Sequence, residues 1–265
     1  MALAKKTAKG LSTKQKKEIR SLIREMLKKK IENYKPSIKL DNHLLLAAIV
    51  PKDARRRYSA IHSLLTAFGM SVFEQIAVII VRNNSSIAKR QWKSEIKISS
   101  DRKKKIDEII TKISNEEKLP DMDSEIKEIL SIPNNNLVEQ KDGQIVDVYF
   151  KRGKKEYYID IKTVGPNKAG FLDHKRMTLT WVARANKKIH PAIAFPYNRD
   201  HPKPYKKVGS NVMQVGVDLL VGKDFWDLLG GKGCYEDLSK NFKKTGEWYW
   251  TELEKKFYKQ KLFLI

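Results

Sequence analysis

The chain has 265 residues, enough for one large domain or for a domain with appendages. Its hydrophobic content of 41% supports a folded core, and its one cysteine, Cys234, excludes a disulfide framework or a cysteine-rich zinc site within one chain. A net charge of +23 points to a polyanionic partner, nucleic acid first, and no apolar run reaches the roughly 18–20 residues of a membrane span.

The charge is unevenly spread. Residues 1–40 hold 13 Lys and Arg against 3 acids, and residues 151–190 hold 11 against 3. A chain merely kept soluble by lysine has no need of such concentration. The basic N-terminus lacks the apolar stretch of a secretory signal, and with the lone cysteine this fits a reducing, cytoplasmic setting.

Residues 1–12 read as a basic arm. From Thr13, the residues Ile19, Leu22, Ile23, Met26, Leu27 and Ile31 form an apolar stripe at helical spacing, opposite Lys16, Lys17, Arg20, Arg24 and Lys28. That basic face suits phosphates, and it equally suits a docked helix with a solvated side. Residues 1–40 are therefore taken as a basic N-terminal arm and helix, and 41–265 as a single domain. A helix from Lys52 through Tyr58, Ile61, Leu64, Leu65 and Phe68 is expected to break at Gly69. Ser71-Val72-Phe73-Glu74 then opens a second apolar helix running to about Val81; Ser-x-x-Glu is a capping box, in which Glu74 satisfies free backbone N–H groups. Residues 93–136 are polar and are expected to form a peripheral helical insertion, with helices over Asp101–Ile113 and Asp123–Ser131.

The stretch QIVDVYFKRGKKEYYIDIKT, residues 144–163, predicts two strands, Ile145–Phe150 and Glu156–Thr163, folded about Arg152-Gly153-Lys154. Facing positions then sum to about 307. Asp147 lies opposite Asp160, and Lys162 follows on the same face, while Val146, Val148, Phe150, Tyr157, Ile159 and Ile161 make the other face apolar. Acid-x-Lys triplets recur along the chain, but only Asp160 combines a strand, an apolar opposite face and a second carboxylate on the neighbouring strand. Facing carboxylates repel and weaken a sheet, so a cation is the natural reason for them. Mg²⁺ takes one or two carboxylates with waters and phosphate oxygens. Asp147 and Asp160 supply the carboxylates, the carbonyl of Ile161 a third oxygen, and Lys162 can orient the attacking water and neutralise charge developing on phosphorus. A surface hairpin with an ordinary ion pair is the bland alternative.

Downstream, Asp173–Lys188 reads as a helix, His190–Tyr197 as a third strand, Pro196–Tyr205 as a proline-stiffened loop, and Asp224–Leu229 and Tyr235–Phe257 as helices. The fold class expected is α/β (α+β), a mixed central sheet with flanking helices. Lys168, His174, Lys175 and Arg176 follow the second strand of the hairpin, where contacts to DNA phosphates are useful; a solvated helix start explains them equally. Trp226, Trp248 and Trp250 read as core. No phosphate-binding glycine loop with its lysine appears, so no nucleotide cofactor is expected.

Asp147, twelve intervening residues and then Asp160-Ile161-Lys162 on a hairpin resemble the PD-(D/E)xK nuclease superfamily, with Val146 where the motif has proline. The resemblance implies a restriction-endonuclease-like core for 41–265. It also offers Glu74 as the glutamate that an upstream helix brings to the metal, against the cap. Asp160-Ile161-Lys162-Thr163, Pro166-Asn167, Phe171, His174-Lys175, Trp181, Pro196-Tyr197-Asn198, Pro204-Tyr205 and Leu220-Val221-Gly222-Lys223-Asp224-Phe225-Trp226 resemble type II restriction endonucleases of the TdeIII kind. Arg199 stands where that kind has proline. What this implies is Mg²⁺-dependent cleavage of double-stranded DNA at a short palindrome by a homodimer, leaving 5′-phosphate ends, with GGNCC the associated specificity. A repair nuclease on the same fold and a basic non-catalytic nucleic-acid-binding protein are the alternatives.

Overall fold

Gly153, with φ of +60°, turns the chain between β4 (Ile145–Arg152) and β5 (Lys155–Ile161). The computed structural model describes residues 10–33, 48–163, 165–205 and 211–259. The two strands pair antiparallel as Val148 with Ile159, Tyr149 with Tyr158 and Phe150 with Tyr157, the register expected from alternation. Around this hairpin a five-stranded sheet forms in the order β1-β4-β5-β6-β7, where β1 is Ile87–Lys93, β6 His190–Phe195 and β7 Leu219–Val221. β1 and β4 pair antiparallel; β5, β6 and β7 run parallel. The sheet is mixed and flanked by helices, as expected.

The chain divides into two compact units, Ala77–Tyr235 and Leu11–Ile76 with Glu236–Ile265. These boundaries differ from the one expected between residues 40 and 41. In the first unit, a two-stranded ladder of β2 (Lys97–Ser99) and β3 (Leu137–Glu139) accompanies α4 (Ser100–Ser114), α5 (Met122–Leu130) and α6 (Lys168–Ala185). Ile106, Ile109, Ile110 and Ile113 of α4 and Ile126 and Ile129 of α5 enter one buried cluster with Tyr149, Tyr158, Trp181 and Ile193. The stretch 93–136 is thus part of the core. Its exposed lysines masked an isoleucine stripe at helical spacing. α6 starts five residues earlier than expected because the Asn167 side chain accepts from the Gly170 N–H, 3.0 Å away, as an N-cap does. A last helix of this unit, α7 (Lys223–Gly230), buries Phe225, Trp226 and Leu229, and the Trp226 indole donates to the Pro196 carbonyl at 2.8 Å. Trp226 is core.

In the second unit, α1 (Thr13–Glu32) buries Ile19, Ile23 and Leu27, the heart of the predicted stripe. Part of its basic face is occupied by α8 (Cys234–Lys259): Lys16 pairs with Asp237 at 2.9 Å, Arg20 Nε donates to Asn241 Oδ1 at 3.0 Å, and the Arg24 guanidinium sits 5.3 Å from the Trp248 ring centre. For those three residues the docked-helix reading holds. Lys17 and Lys28 are exposed, and so is half of Trp250, at 51%. Residues 1–9 of the basic arm lie outside the described residues.

α2 (Lys52–Ala67) does not break at Gly69. A π-helical turn, Phe68–Val72, carries the helical backbone into α3 (Phe73–Val81), and the Phe73 N–H bonds to the Phe68 carbonyl. A π-turn absorbs the extra residue that a break would otherwise accommodate, and such turns concentrate at functional sites. Ser71 lies inside continuous helix with no free first-turn N–H groups to satisfy, so there is no capping box here.

Candidate active site

The site arises where the hairpin opens. Beyond the Val148–Ile159 pair, β5 continues beside β6, with the Lys162 N–H donating to the Ala194 carbonyl at 2.9 Å. Asp147 takes up the place left in the ladder: its Oδ2 accepts the Ile161 N–H at 2.8 Å, and its Oδ1 accepts from Gln91 Nε2 at 3.0 Å. Asp160, 5% exposed, lies beside it. Lys162 Nζ reaches within 2.7 Å of Asp160 Oδ2 from a half-exposed position. The contact is a close ion pair, and it partners a carboxylate oxygen that is otherwise buried.

The electrostatics follow from this packing. Burial pushes the Asp160 carboxyl up to about 7, the neighbouring Asp147 pushes the same way, and Lys162 offsets only part of it. A buried carboxylate next to a second carboxylate, with one lysine offsetting only part of the cost, is unfavourable in a bare protein and suits a cation. Among the described residues no group of three or more His, Cys, Asp or Glu could hold a metal ion. Two carboxylates fit Mg²⁺, which keeps several waters, better than zinc, which favours His and Cys.

The remaining expected site residues separate. Glu74, 5% exposed, sits in the first turn of α3 and belongs to the Leu11–Ile76 unit. Lys175 does not face solvent. It is fully buried between Glu125 and Asp218, 2.5 and 2.6 Å from their carboxylates, and is not available to DNA. A helix start with alternating charge gave no sign of this, because the two acids come from distant segments. Lys168 bonds the Ser114 carbonyl at 3.1 Å and Glu116 at 3.2 Å, and Arg176 pairs with Asp107; both stay partly exposed. His174 is held well below its ordinary value, at about 4, first by burial and then by Lys162. The loop after β6 is tied back to the site strand: the Tyr197 hydroxyl donates to the Thr163 carbonyl at 2.7 Å, and Asn198 Nδ2 to the Lys203 carbonyl at 2.8 Å.

Gln91 was missed by the sequence reading. β1 was not expected as a strand, and only its antiparallel register against β4, with facing positions summing to 238, sets Gln91 opposite Asp147.

The comparisons with known proteins give the family. The family model described as type II restriction endonuclease, HinfI, matches residues 11–246. The chain belongs to the HinfI family of type II restriction endonucleases. It is 32% identical over 189 residues to the type II restriction enzyme MjaII of Methanocaldococcus jannaschii, covering 64% of this chain and 50% of that protein. It is 23% identical over 237 residues to the type II restriction enzyme HgiCII of Herpetosiphon aurantiacus, covering 85% of this chain and 86% of that protein. The alignment thus spans half the length of MjaII and most of HgiCII. No solved structure matches. The resemblance to type II restriction endonucleases is borne out at the level of the family.

Proposed function

We propose that this HinfI-family chain hydrolyses phosphodiester bonds of double-stranded DNA at a short palindromic sequence, as a homodimer using Mg²⁺, and leaves 5′-phosphate ends. The observation that carries the reading is the splayed hairpin: the buried Asp160 carboxylate lies beside Asp147, and Lys162 reaches within 2.7 Å of Asp160 Oδ2. Asp147 and Asp160 would hold the cation, with the Ile161 carbonyl as a third oxygen. A bound Mg²⁺ would polarise the scissile phosphate and acidify a water. Lys162, partly exposed and charged, orients the attacking water and balances negative charge as it grows on phosphorus. Asp147, tied to the Ile161 N–H and to Gln91, holds a fixed geometry against which the phosphate is placed.

Incubating the purified chain with plasmid DNA and Mg²⁺, and sequencing the ends, tests this. Cuts at one fixed palindrome with 5′-phosphates are expected, and GGNCC is the first sequence to look for. Cuts confined to branches or lesions would make it a repair nuclease. Binding without cutting at any divalent cation would overturn the enzyme reading.

A further inference from the structure

We infer that Gln91 is a positioning residue for the cation site, one that holds the Asp147 carboxylate in the orientation needed to accept a divalent metal. The inference rests on the proposed nuclease reading and extends it to a residue outside the Asp147, Asp160 and Lys162 set. Gln91 sits in the middle of the edge strand β1, between Arg90, paired with Val148, and Trp92, paired with Val146. The ladder skips Gln91 itself. Its φ is +50°, a left-handed conformation that a glutamine seldom adopts inside a strand. No extra residue is inserted, since the register is the same on either side. What the rotation accompanies is a side-chain contact: Gln91 Nε2 donates to Asp147 Oδ1 at 3.0 Å.

The opposite oxygen of Asp147 accepts the Ile161 N–H, so the carboxylate is gripped from both neighbouring strands, β1 through a side chain and β5 through the backbone. A backbone outlier beside a reactive group is where strained residues concentrate. Each Asp147 oxygen retains a lone pair, because a carboxylate oxygen accepts two bonds. The amide of Gln91 therefore orients without displacing a metal. Its neutrality matters too: it donates to Asp147 and adds no charge to the site, whereas a Lys or Arg here would compete with the cation. Partners of this kind around a metal ligand typically change metal affinity by about 10–100-fold when removed.

Gln91→Gly separates the two roles that this residue could have. Glycine tolerates the left-handed backbone and lacks the amide. The full chain is titrated calorimetrically with Mn²⁺ without DNA, its Tm is measured in EDTA, and plasmid cleavage is followed against Mg²⁺ concentration. For Gln91→Gly we expect Mn²⁺ affinity to fall about tenfold and the half-saturating Mg²⁺ to rise in proportion, with kcat at saturating Mg²⁺ much less affected and Tm not lowered. Gln91→Asn, which keeps an amide and tolerates the backbone, should recover part of the affinity. Wild-type Mn²⁺ affinity in Gln91→Gly would overturn the inference. So would a fall in Tm that accompanies the loss of affinity, which would make Gln91 merely structural. If the wild-type chain itself binds no divalent cation, the proposed metal site fails, and that result is distinct from an unaffected variant of a metal-binding wild type.

Discussion

Lys162 and His174 show how one local field divides roles among neighbouring residues. Lys162 leans on a buried carboxylate and has no other ion pair among the described residues. Lys162→Ala should lower DNA cleavage by at least about a hundredfold while leaving DNA binding in Ca²⁺ within a few-fold, read by gel shift beside a cleavage time course. Unchanged cleavage would remove it from the site. His174 carries no charge at neutral pH: burial and Lys162 hold its folded value at about 4, below the ordinary 6.5. The unfolded chain therefore binds a proton that the folded chain refuses between those limits. The stability this group contributes is present above about pH 6.5 and is lost progressively as pH falls toward 4. His174→Gln should flatten that part of a Tm-against-pH curve, and an identical curve would contradict the burial argument.

At the scale of elements, the hairpin was legible because strict alternation, a glycine turn and a pair of facing aspartates all point to one register. β1 was not. Its exposure does not alternate, and a left-handed Gln91 interrupts it, so no period-two signal survives in the residues. β7 has three residues, too few for any pattern. Gly69 and Ser71-x-x-Glu74 are the local signals of a break and cap, whereas the backbone stays helical through a π-turn before α3, which those local signals do not encode. Of the candidate site, the grouping of Asp147, Asp160 and Lys162 was legible in the alternation of the hairpin. Gln91 depends on a strand that was missed, and the burial of Lys175 depends on Glu125 in α5 and Asp218 before β7. That buried cluster ties α5, α6 and the β7 approach together. Lys175→Met should destabilise the fold by about 3–5 kcal/mol in urea unfolding, because it strands two buried carboxylates. A change near zero would mean that the cluster opens to water.

Across the whole molecule, a charge of +23 suits a polyanion, which on the proposed function is DNA. No helix among the described residues is long and apolar enough to cross a membrane. Some of the basic residues are spent internally: Lys16, Arg20 and Arg24 against α8, Lys175 in the core, Lys168 and Arg176 on neighbouring acids. The charge that remains outside should still make DNA binding strongly salt-dependent, with log K falling by about 0.9 per phosphate contact for each unit of log salt. A shallow slope would mean that the excess charge is not a DNA footprint. The proposed chemistry rests on the carboxylate pair at the mouth of the hairpin. Its most direct test compares the wild-type chain with Asp160→Asn for plasmid cleavage in Mg²⁺ and for Tm in EDTA. We predict that the variant loses cleavage and, freed of a buried charge beside Asp147, melts no lower than the wild type. Full cleavage by Asp160→Asn would contradict the assignment of this site.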